Sequence, residues 1–485
     1  MDLLNLSAGE LASLISRREV SSVEVVTKSL QAINDAGDSR AFISVASETA
    51  LSAARQADAR AASGTGGLLN GVPVAVKDLS AVRGMPNSFG LSAYRNNFPD
   101  ADSGMVERLR EAGAVIVGKT NTPALGTLGE TKNHLGKDCI NPWDLTRTSG
   151  GSSGGSAVAV AAGMVPVATG SDSAGSITGP AAMCGIFGLK PSHGRVSTWP
   201  ADQGSGLLND LGPLTRTVRD AALMLQVMAG PDPRDSVCIR QEPPFFAQAV
   251  DEALTADRPL FQMRIAWTPD LGHFPVDPNL LEIVSRALPV LENLGASVVA
   301  DEPRISNPFA TYMPLCAADT RLALRGITPA ARDELFPETI AELEANPDIP
   351  ATEYVAVLSQ LWQLRATVAE FFDRYNLMVM PASAVPAFPL RRPPRRIDSS
   401  DVEPGWASAM PFSALWNMTG QPTASVPCGL TSGGLPVGLL IVGRLGAEMD
   451  VLRASAALEM TMPWSTQLPN QRWSSASTSP SRPGS

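Results

Sequence analysis

The chain has 485 residues, of which 44% are hydrophobic and 18% are charged, and its formal net charge is −10. This composition is typical of a soluble globular protein with a large core, and the negative charge argues against nucleic acid as a partner. Its five cysteines are too few and too scattered for a disulfide framework, which favours a reducing compartment.

The sequence predicts neither a membrane segment nor a secretory one. The N-terminus reads Met-Asp-Leu-Leu and lacks a cationic region before an apolar one. The longest apolar run, 157–169, is interrupted by Gly163 and Pro166 and is too short to span a bilayer. We therefore expect a cytoplasmic protein that binds no membrane. A metal site is not expected either, because there is no CxxC pair and the three histidines lack ligand-like spacing: His134, His193 and His273.

The predicted elements alternate between helices and short strands along the chain. Ser7 and Ser21 are each followed three residues later by glutamate, which predicts two capping boxes, and a third helix is predicted over 46–62. Another helix is predicted over 278–294, with a kink at Pro289. Strands are predicted within 69–79, 114–121, 263–270, 297–302 and 434–444, and a buried alanine-rich helix over 157–163.

This alternation favours an α/β fold built around a mixed sheet. We find no convincing domain boundary and predict one domain over residues 1–467. The serine- and proline-rich tail, 468–485, is predicted to be disordered.

Two segments rich in glycine and serine, 150–163 and 170–185, suggest a site. A P-loop is excluded because no lysine follows the glycines, and a flexible linker is excluded because a long apolar run follows. Residues 151–155 match the nucleophile elbow G-x-S-x-G, which would make Ser153 the nucleophile. That reading remains a minor alternative, since the last histidine, His273, lies more than two hundred residues from the end of the chain.

With histidine scarce, a neutral lysine is another base that can activate a serine. Neutrality at pH 7 costs ~4.6 kcal/mol for a lysine with an ordinary pKa, and burial can supply a shift of that size. Lys77 ends the apolar run GVPVAVK and is well placed for desolvation. The local run alone favours instead an ion pair between Lys77 and a neighbouring carboxylate such as Asp78.

The segments GVPVAVKDL, GGSSGGSA and GSDSAGSITGPAAMCGIFGLKPSHGRVS occur in this order and together resemble the amidase signature family. The likeness extends over nearly the whole chain, through LSAGELASLISRREVSSVEVV, KTNTPALG, TGQPTASVPCG and GLPVGLLIVGR. It implies a single α/β/α domain whose mixed, twisted sheet is covered by helices. It also implies a Ser-cisSer-Lys triad with Ser176 as nucleophile, Ser152 as bridging serine and Lys77 as base. The implied oxyanion hole consists of four backbone N–H groups, those of Ser173, Ala174, Gly175 and Ser176.

The chain departs from the family pattern at three positions. Ala174 adds a methyl group to the oxyanion loop, and Ala124 replaces a glutamate. Thr178 replaces an arginine, which weakens the case for a substrate carboxylate near the scissile amide and favours a small neutral aryl or alkyl amide. We expect structural roles for five other residues of the two glycine–serine segments: Ser153, Ser156, Ser171, Asp172 and Cys184, the last of which is expected to be buried.

The resemblance implies an amidase that, without a cofactor, converts a small-molecule amide to the acid plus ammonia or amine through a serine acyl-enzyme. Two alternatives remain, the glutaminase subunit of a tRNA-dependent amidotransferase and a catalytically impaired relative with a binding role. A homodimer is suggested by family analogy only.

Overall fold

A computed structural model describes residues 2–200, 204–464 and 469 of the chain. Apart from residue 469, the predicted tail 468–485 lies outside the described residues. No helix in the described ranges is both long and apolar enough to cross a membrane.

The α-helices of the described residues follow in chain order, the first nine being α1 (Ala8–Ser16), α2 (Ser22–Asp35), α3 (Ser47–Ser63), α4 (Gly104–Glu111), α5 (Gly154–Ala161), α6 (Thr178–Cys184), α7 (Val218–Met228), α8 (Phe246–Thr255) and α9 (Pro278–Ser285). The others are α10 (Ala287–Asn293), α11 (Phe309–Arg325), α12 (Pro329–Arg332), α13 (Pro337–Ala345), α14 (Ala351–Phe372), α15 (Trp406–Ala409), α16 (Ala414–Thr419) and α17 (Glu448–Thr461).

The strands are β1 (Phe42–Val45), β2 (Pro73–Lys77), β3 (Val115–Thr120), β4 (Ile140–Asn141), β5 (Asp144–Thr148), β6 (Val167–Asp172), β7 (Phe187–Lys190), β8 (Asp210–Thr215), β9 (Arg264–Trp267), β10 (Ser297–Ala300), β11 (Leu377–Pro381), β12 (Arg396–Ile397), β13 (Ser400–Asp401), β14 (Thr423–Leu430) and β15 (Pro436–Gly443). Eleven of them form one mixed sheet in the order β1-β3-β2-β6-β8-β7-β14-β15-β11-β9-β10. The α/β class and the mixed sheet are therefore confirmed.

Strand β2 shows how helices cover both faces of this sheet. Val74 and Val76 pack in a cluster with residues of α1, α4 and α7. Ala75 points the other way and packs with residues of α2, α3, α5 and α6. Because side chains alternate along a strand, Lys77 lies on the same face as Ala75. The sheet therefore directs Lys77 towards α5 and α6, the helices within the two glycine–serine segments.

The local sequence signals correspond to real helix boundaries. Ser7 and Ser21 each accept a hydrogen bond from the backbone of a glutamate three residues later, and that glutamate bonds back, as the capping boxes predicted. The kink predicted at Pro289 is a break between α9 and α10, at Arg286. The break is expected because a proline ring clashes with the carbonyl four residues earlier, here that of Ser285.

Candidate active site

Lys77 reaches the first glycine–serine segment across the sheet. Its Nζ lies 2.7 Å from Ser152 Oγ, 2.9 Å from Ser171 Oγ and 3.4 Å from the Ser171 carbonyl oxygen. Ser152 follows a cis peptide bond with Gly151. Both Lys77 and Ser152 are almost completely buried. The structure thus brings together the lysine and the bridging serine that the sequence singled out.

Burial lowers the pKa of Lys77 from 10.5 to about 7, and the negative charge of Asp172 opposes part of this shift. An amine with this pKa is largely neutral just above pH 7, so it can accept a proton from a hydroxyl group. Ser171, to which the sequence gave a structural role in the loop, contacts the amine directly. Its hydroxyl and carbonyl groups both lie near Lys77 because the folded chain places the end of β6 beside that lysine, which the sequence alone does not show.

The local run alone predicted an ion pair between Lys77 and Asp78, and this prediction is wrong. Asp78 pairs instead with Lys119 of β3, with 3.0 Å between Lys119 Nζ and Asp78 Oδ1, and both side chains are fully buried. The other carboxylate oxygen accepts hydrogen bonds from the backbone and hydroxyl of Ser88. Because consecutive residues at a strand end point to opposite faces, Asp78 and Lys77 have different partners.

Removing the charge of Asp78 should destabilise the fold. In an Asp78→Asn variant the Lys119 amine would keep only neutral partners, Asn87 Oδ1 at 2.6 Å and the Pro86 carbonyl. Breaking a buried pair in this way is expected to lower the free energy of unfolding by ~3 kcal/mol, measured by urea denaturation.

The matched control for this variant is Glu282→Gln. Glu282 pairs with Arg286 at 2.8 Å on an exposed helix surface, where the loss should stay below ~0.5 kcal/mol. Equal losses in the two variants would contradict a stabilising role for the buried pair.

The loop between β6 and α6 is organised by Asp172. Its carboxylate accepts hydrogen bonds from the backbone N–H groups of Gly175 at 2.6 Å, Ile177 at 2.7 Å and Thr178 at 3.3 Å. Gly175 has φ +106°, a conformation that glycine adopts far more readily than other residues. The sequence expectation that Asp172 supports this loop agrees with these contacts. The Gly175 N–H, to which the resemblance gives a role in the oxyanion hole, donates to Asp172 in this structure.

Three other N–H groups of this loop remain available. Those of Ser173, Ala174 and Ser176 donate to no acceptor among the described residues. The Ser176 carbonyl accepts a hydrogen bond from the Ser153 N–H, which ties the two glycine–serine segments together. Ser176 itself is only half-buried and lines a cavity.

The remaining serines and Cys184 have structural contacts, as the sequence suggested. The buried Ser153 hydroxyl donates to the Ser171 carbonyl, and the Ser156 hydroxyl donates to the Thr169 carbonyl. Cys184 is fully buried, and burial raises the pKa of its thiol well above the usual value. Neither Ser153 nor Cys184 is among the described residues that line the cavity.

The cavity has a volume of about 200 Å³, and its lining includes Ser152, Ser171 and Ser176. Other parts of its wall come from α11, α13 and α15. None of the described lining residues is a lysine, arginine or histidine. At the position where the family pattern has arginine, Thr178 Oγ1 lies 3.0 Å from Ser413 Oγ. Within the described ranges, no three His, Cys, Asp or Glu side chains cluster in a way that could hold a metal ion.

Comparison with known proteins places the chain among amide hydrolases. The family model Amidase matches residues 24–452. An acylamidase of Rhodococcus erythropolis is 34% identical over 96% of this chain and 97% of its own length. A glutamyl-tRNA(Gln) amidotransferase subunit of Desulforapulum autotrophicum is 34% identical over 97% of this chain and all of its own length. Among solved structures, a bacterial aryl acylamidase of the amidase signature family has a TM-score of 0.88 at 30% identity and covers 96% of this chain and 99% of its own. The chain therefore belongs to the amidase signature family of amide-hydrolysing enzymes.

Proposed function

We propose that the chain hydrolyses a carboxylic amide through an acyl-enzyme on Ser176, with Ser152 as the proton relay and Lys77 as the base. The observation that carries this proposal is the 2.7 Å contact between Lys77 Nζ and Ser152 Oγ in a buried site where no carboxylate of the described residues pairs with the amine. A lysine held among hydroxyl groups, with a pKa of about 7, is suited to proton transfer rather than to an ion pair.

In the proposed reaction, Lys77 takes the proton of Ser152, which takes the proton of Ser176. The Ser176 oxygen attacks the amide carbonyl carbon and forms a tetrahedral intermediate. The relay then returns a proton to the amide nitrogen, the C–N bond breaks, and ammonia or an amine leaves. Water, deprotonated through the same relay, attacks the acyl carbon, and the carboxylic acid is released as Ser176 regains its proton.

The developing oxyanion is proposed to accept hydrogen bonds from the backbone N–H groups of Ser173, Ala174 and Ser176. All three lack an acceptor among the described residues, whereas that of Gly175 is used by Asp172. Such fixed donors stabilise the charge that forms in the transition state. Since they are backbone groups, the methyl group of Ala174 does not remove a donor.

The part of the substrate at the scissile amide is proposed to be neutral. Thr178 and the described cavity lining supply no cation for a substrate carboxylate. Small aryl or alkyl amides satisfy this requirement. A cytoplasmic location and a homodimer stay predictions.

A second candidate function is glutaminase activity within an amidotransferase complex. The 34% identity to a glutamyl-tRNA(Gln) amidotransferase subunit, over nearly the whole chain, favours it. Glutamine carries a carboxylate, however, and the described lining offers no positive side chain to bind it. A catalytically impaired relative is the third possibility, and the intact contact between Lys77 and Ser152 argues against it.

The proposal is tested by incubating the isolated chain with aryl and alkyl amides and measuring the released ammonia or amine. We expect turnover by the isolated chain, because nucleophile, relay and base all lie on it. Release only when partner subunits and charged tRNA are added would support the amidotransferase function instead. Failure to release any product or to acylate Ser176 would favour an impaired relative.

A further inference from the structure

A second part of the active-site cavity is acidic. Helix α11 lines it with Tyr312, Cys316 and Asp319, which lie on one face at spacings of four and three residues. Helix α13 adds Glu342, and α15 adds Trp406. Asp319 and Glu342 therefore bring two carboxyl groups into the cavity that also contains Ser176.

Neither carboxylate has a cationic partner within 4.0 Å among the described residues. Asp319 accepts hydrogen bonds from the Ser205 backbone N–H at 2.8 Å and from its hydroxyl at 3.1 Å. Glu342 accepts one from Trp406 Nε1 at 3.0 Å and a weak contact from the Cys316 thiol at 3.9 Å. Glu338, one turn earlier on α13, differs because its carboxylate pairs with Lys132 at 2.7 Å.

Burial raises the pKa of both carboxyl groups, because it disfavours their charged form where no cation compensates it. A cation that binds beside either carboxyl group would favour its charged form. Trp406 in the same wall is partly exposed, and the face of an indole ring attracts ammonium groups. Tyr312, whose ring centroid lies 5.6 Å from that of Trp406, is almost completely buried.

We infer that this part of the cavity binds a protonated amine of the substrate, with Glu342 and Asp319 as the residues that determine specificity. The inference rests on the proposed function and narrows its substrate class. The scissile amide itself is neutral, consistent with Thr178, and the ammonium group is carried elsewhere on the acyl or amine portion. The opposing result would be that the chain has no preference for amides with an ammonium group over wholly neutral ones.

The test compares amides of equal shape that differ in charge. The acyl-side pair is 5-aminopentanamide and hexanamide, and the amine-side pair is N-(4-aminobutyl)acetamide and N-pentylacetamide. For at least one pair we expect kcat/KM at about pH 8 to be at least about tenfold higher for the ammonium compound. Glutaramate, which has a carboxylate at the corresponding position, should be poorer than hexanamide.

Two variants test whether the preference for the ammonium compound depends on the two carboxylates. Glu342→Gln and Asp319→Asn keep the shape and the acceptor oxygen and remove the charge. Each should reduce the ratio of kcat/KM between ammonium compound and neutral isostere by about tenfold. Glu338→Gln is the matched control on the same helix and should leave the ratio unchanged. A preference that survives in both cavity variants would overturn the inference.

Binding to a Ser176→Ala variant separates this inference from the proposed function. Calorimetric titration with the four amides does not depend on turnover, and the ammonium compound of the preferred pair should bind at least about tenfold more tightly than its isostere. Equal affinities would overturn the inference even if neutral amides are hydrolysed. Preferential binding without hydrolysis by the unmodified chain would support the inference and contradict the proposed function.

Discussion

Replacing Ser176 by alanine should reduce amide hydrolysis by roughly 10⁴-fold or more, because no acyl-enzyme can then form. The residual rate would come from the oxyanion donors and from substrate binding. The effect should appear in kcat, since in the proposed reaction Ser176 contributes to bond formation rather than to binding of the ground state. Steady-state kinetics with any amide that the isolated chain hydrolyses would measure it.

The matched control is Ser153→Ala in the neighbouring segment. The Ser153 hydroxyl donates to the Ser171 carbonyl and is absent from the described cavity lining, so its loss should reduce activity by no more than about tenfold. Peptide mapping after treatment with a fluorophosphonate should place the adduct on Ser176. An adduct on Ser153 would support the nucleophile elbow, and one on Cys184 would contradict a serine mechanism.

The second large effect concerns Lys77 and pH. Because the proposed base must be neutral, kcat/KM should fall as pH decreases through about 7, by about tenfold per unit at the acidic end. Lys77→Met should lose roughly 10³-fold or more of the activity over the whole pH range. Lys28→Met, on the exposed side of α2, should keep both the activity and the pH profile. An unchanged acidic limb in an active Lys77→Met variant would contradict the assignment of the base.

Lys77 should also make stability depend on pH. Its folded-state pKa of about 7 lies below the ordinary value of 10.5, so the unfolded chain binds more protons between these pH values. The contribution of Lys77 to stability therefore increases from about pH 7 to about pH 10.5, by ~1.4 kcal/mol per unit at most. In Lys77→Met this rise should be absent, so the variant gains most over the unmodified chain below pH 7. Urea denaturation at several pH values measures the difference.

Much of the fold could be predicted from local patterns. The capping boxes at Ser7 and Ser21, the break caused by Pro289 and the buried strand that ends in Lys77 depend on residues close together in the chain. Backbone geometry and hydrogen bonding act over a few residues, which is why such signals are readable. The family, too, was identified from the sequence, because its motifs occur in a fixed order, and the comparisons confirm it.

The partners of the site residues were decided by tertiary structure. Lys77 meets Ser171 although 94 positions separate them, and Asp78 takes Lys119 rather than its neighbour. The hydrogen bond from the Gly175 N–H to the Asp172 carboxylate depends on the detailed path of the loop, which composition does not specify.

The chain by itself determined the elements, the family and the residue types available for proton transfer. Only the tertiary structure decided which carboxylate lies beside which amine, which N–H groups remain free, and that α11 and α13 bring acidic side chains into the cavity of Ser176. Local periodicity predicts which side chains of an element are buried, whereas the pairing of distant side chains depends on how the sheet and helices pack together.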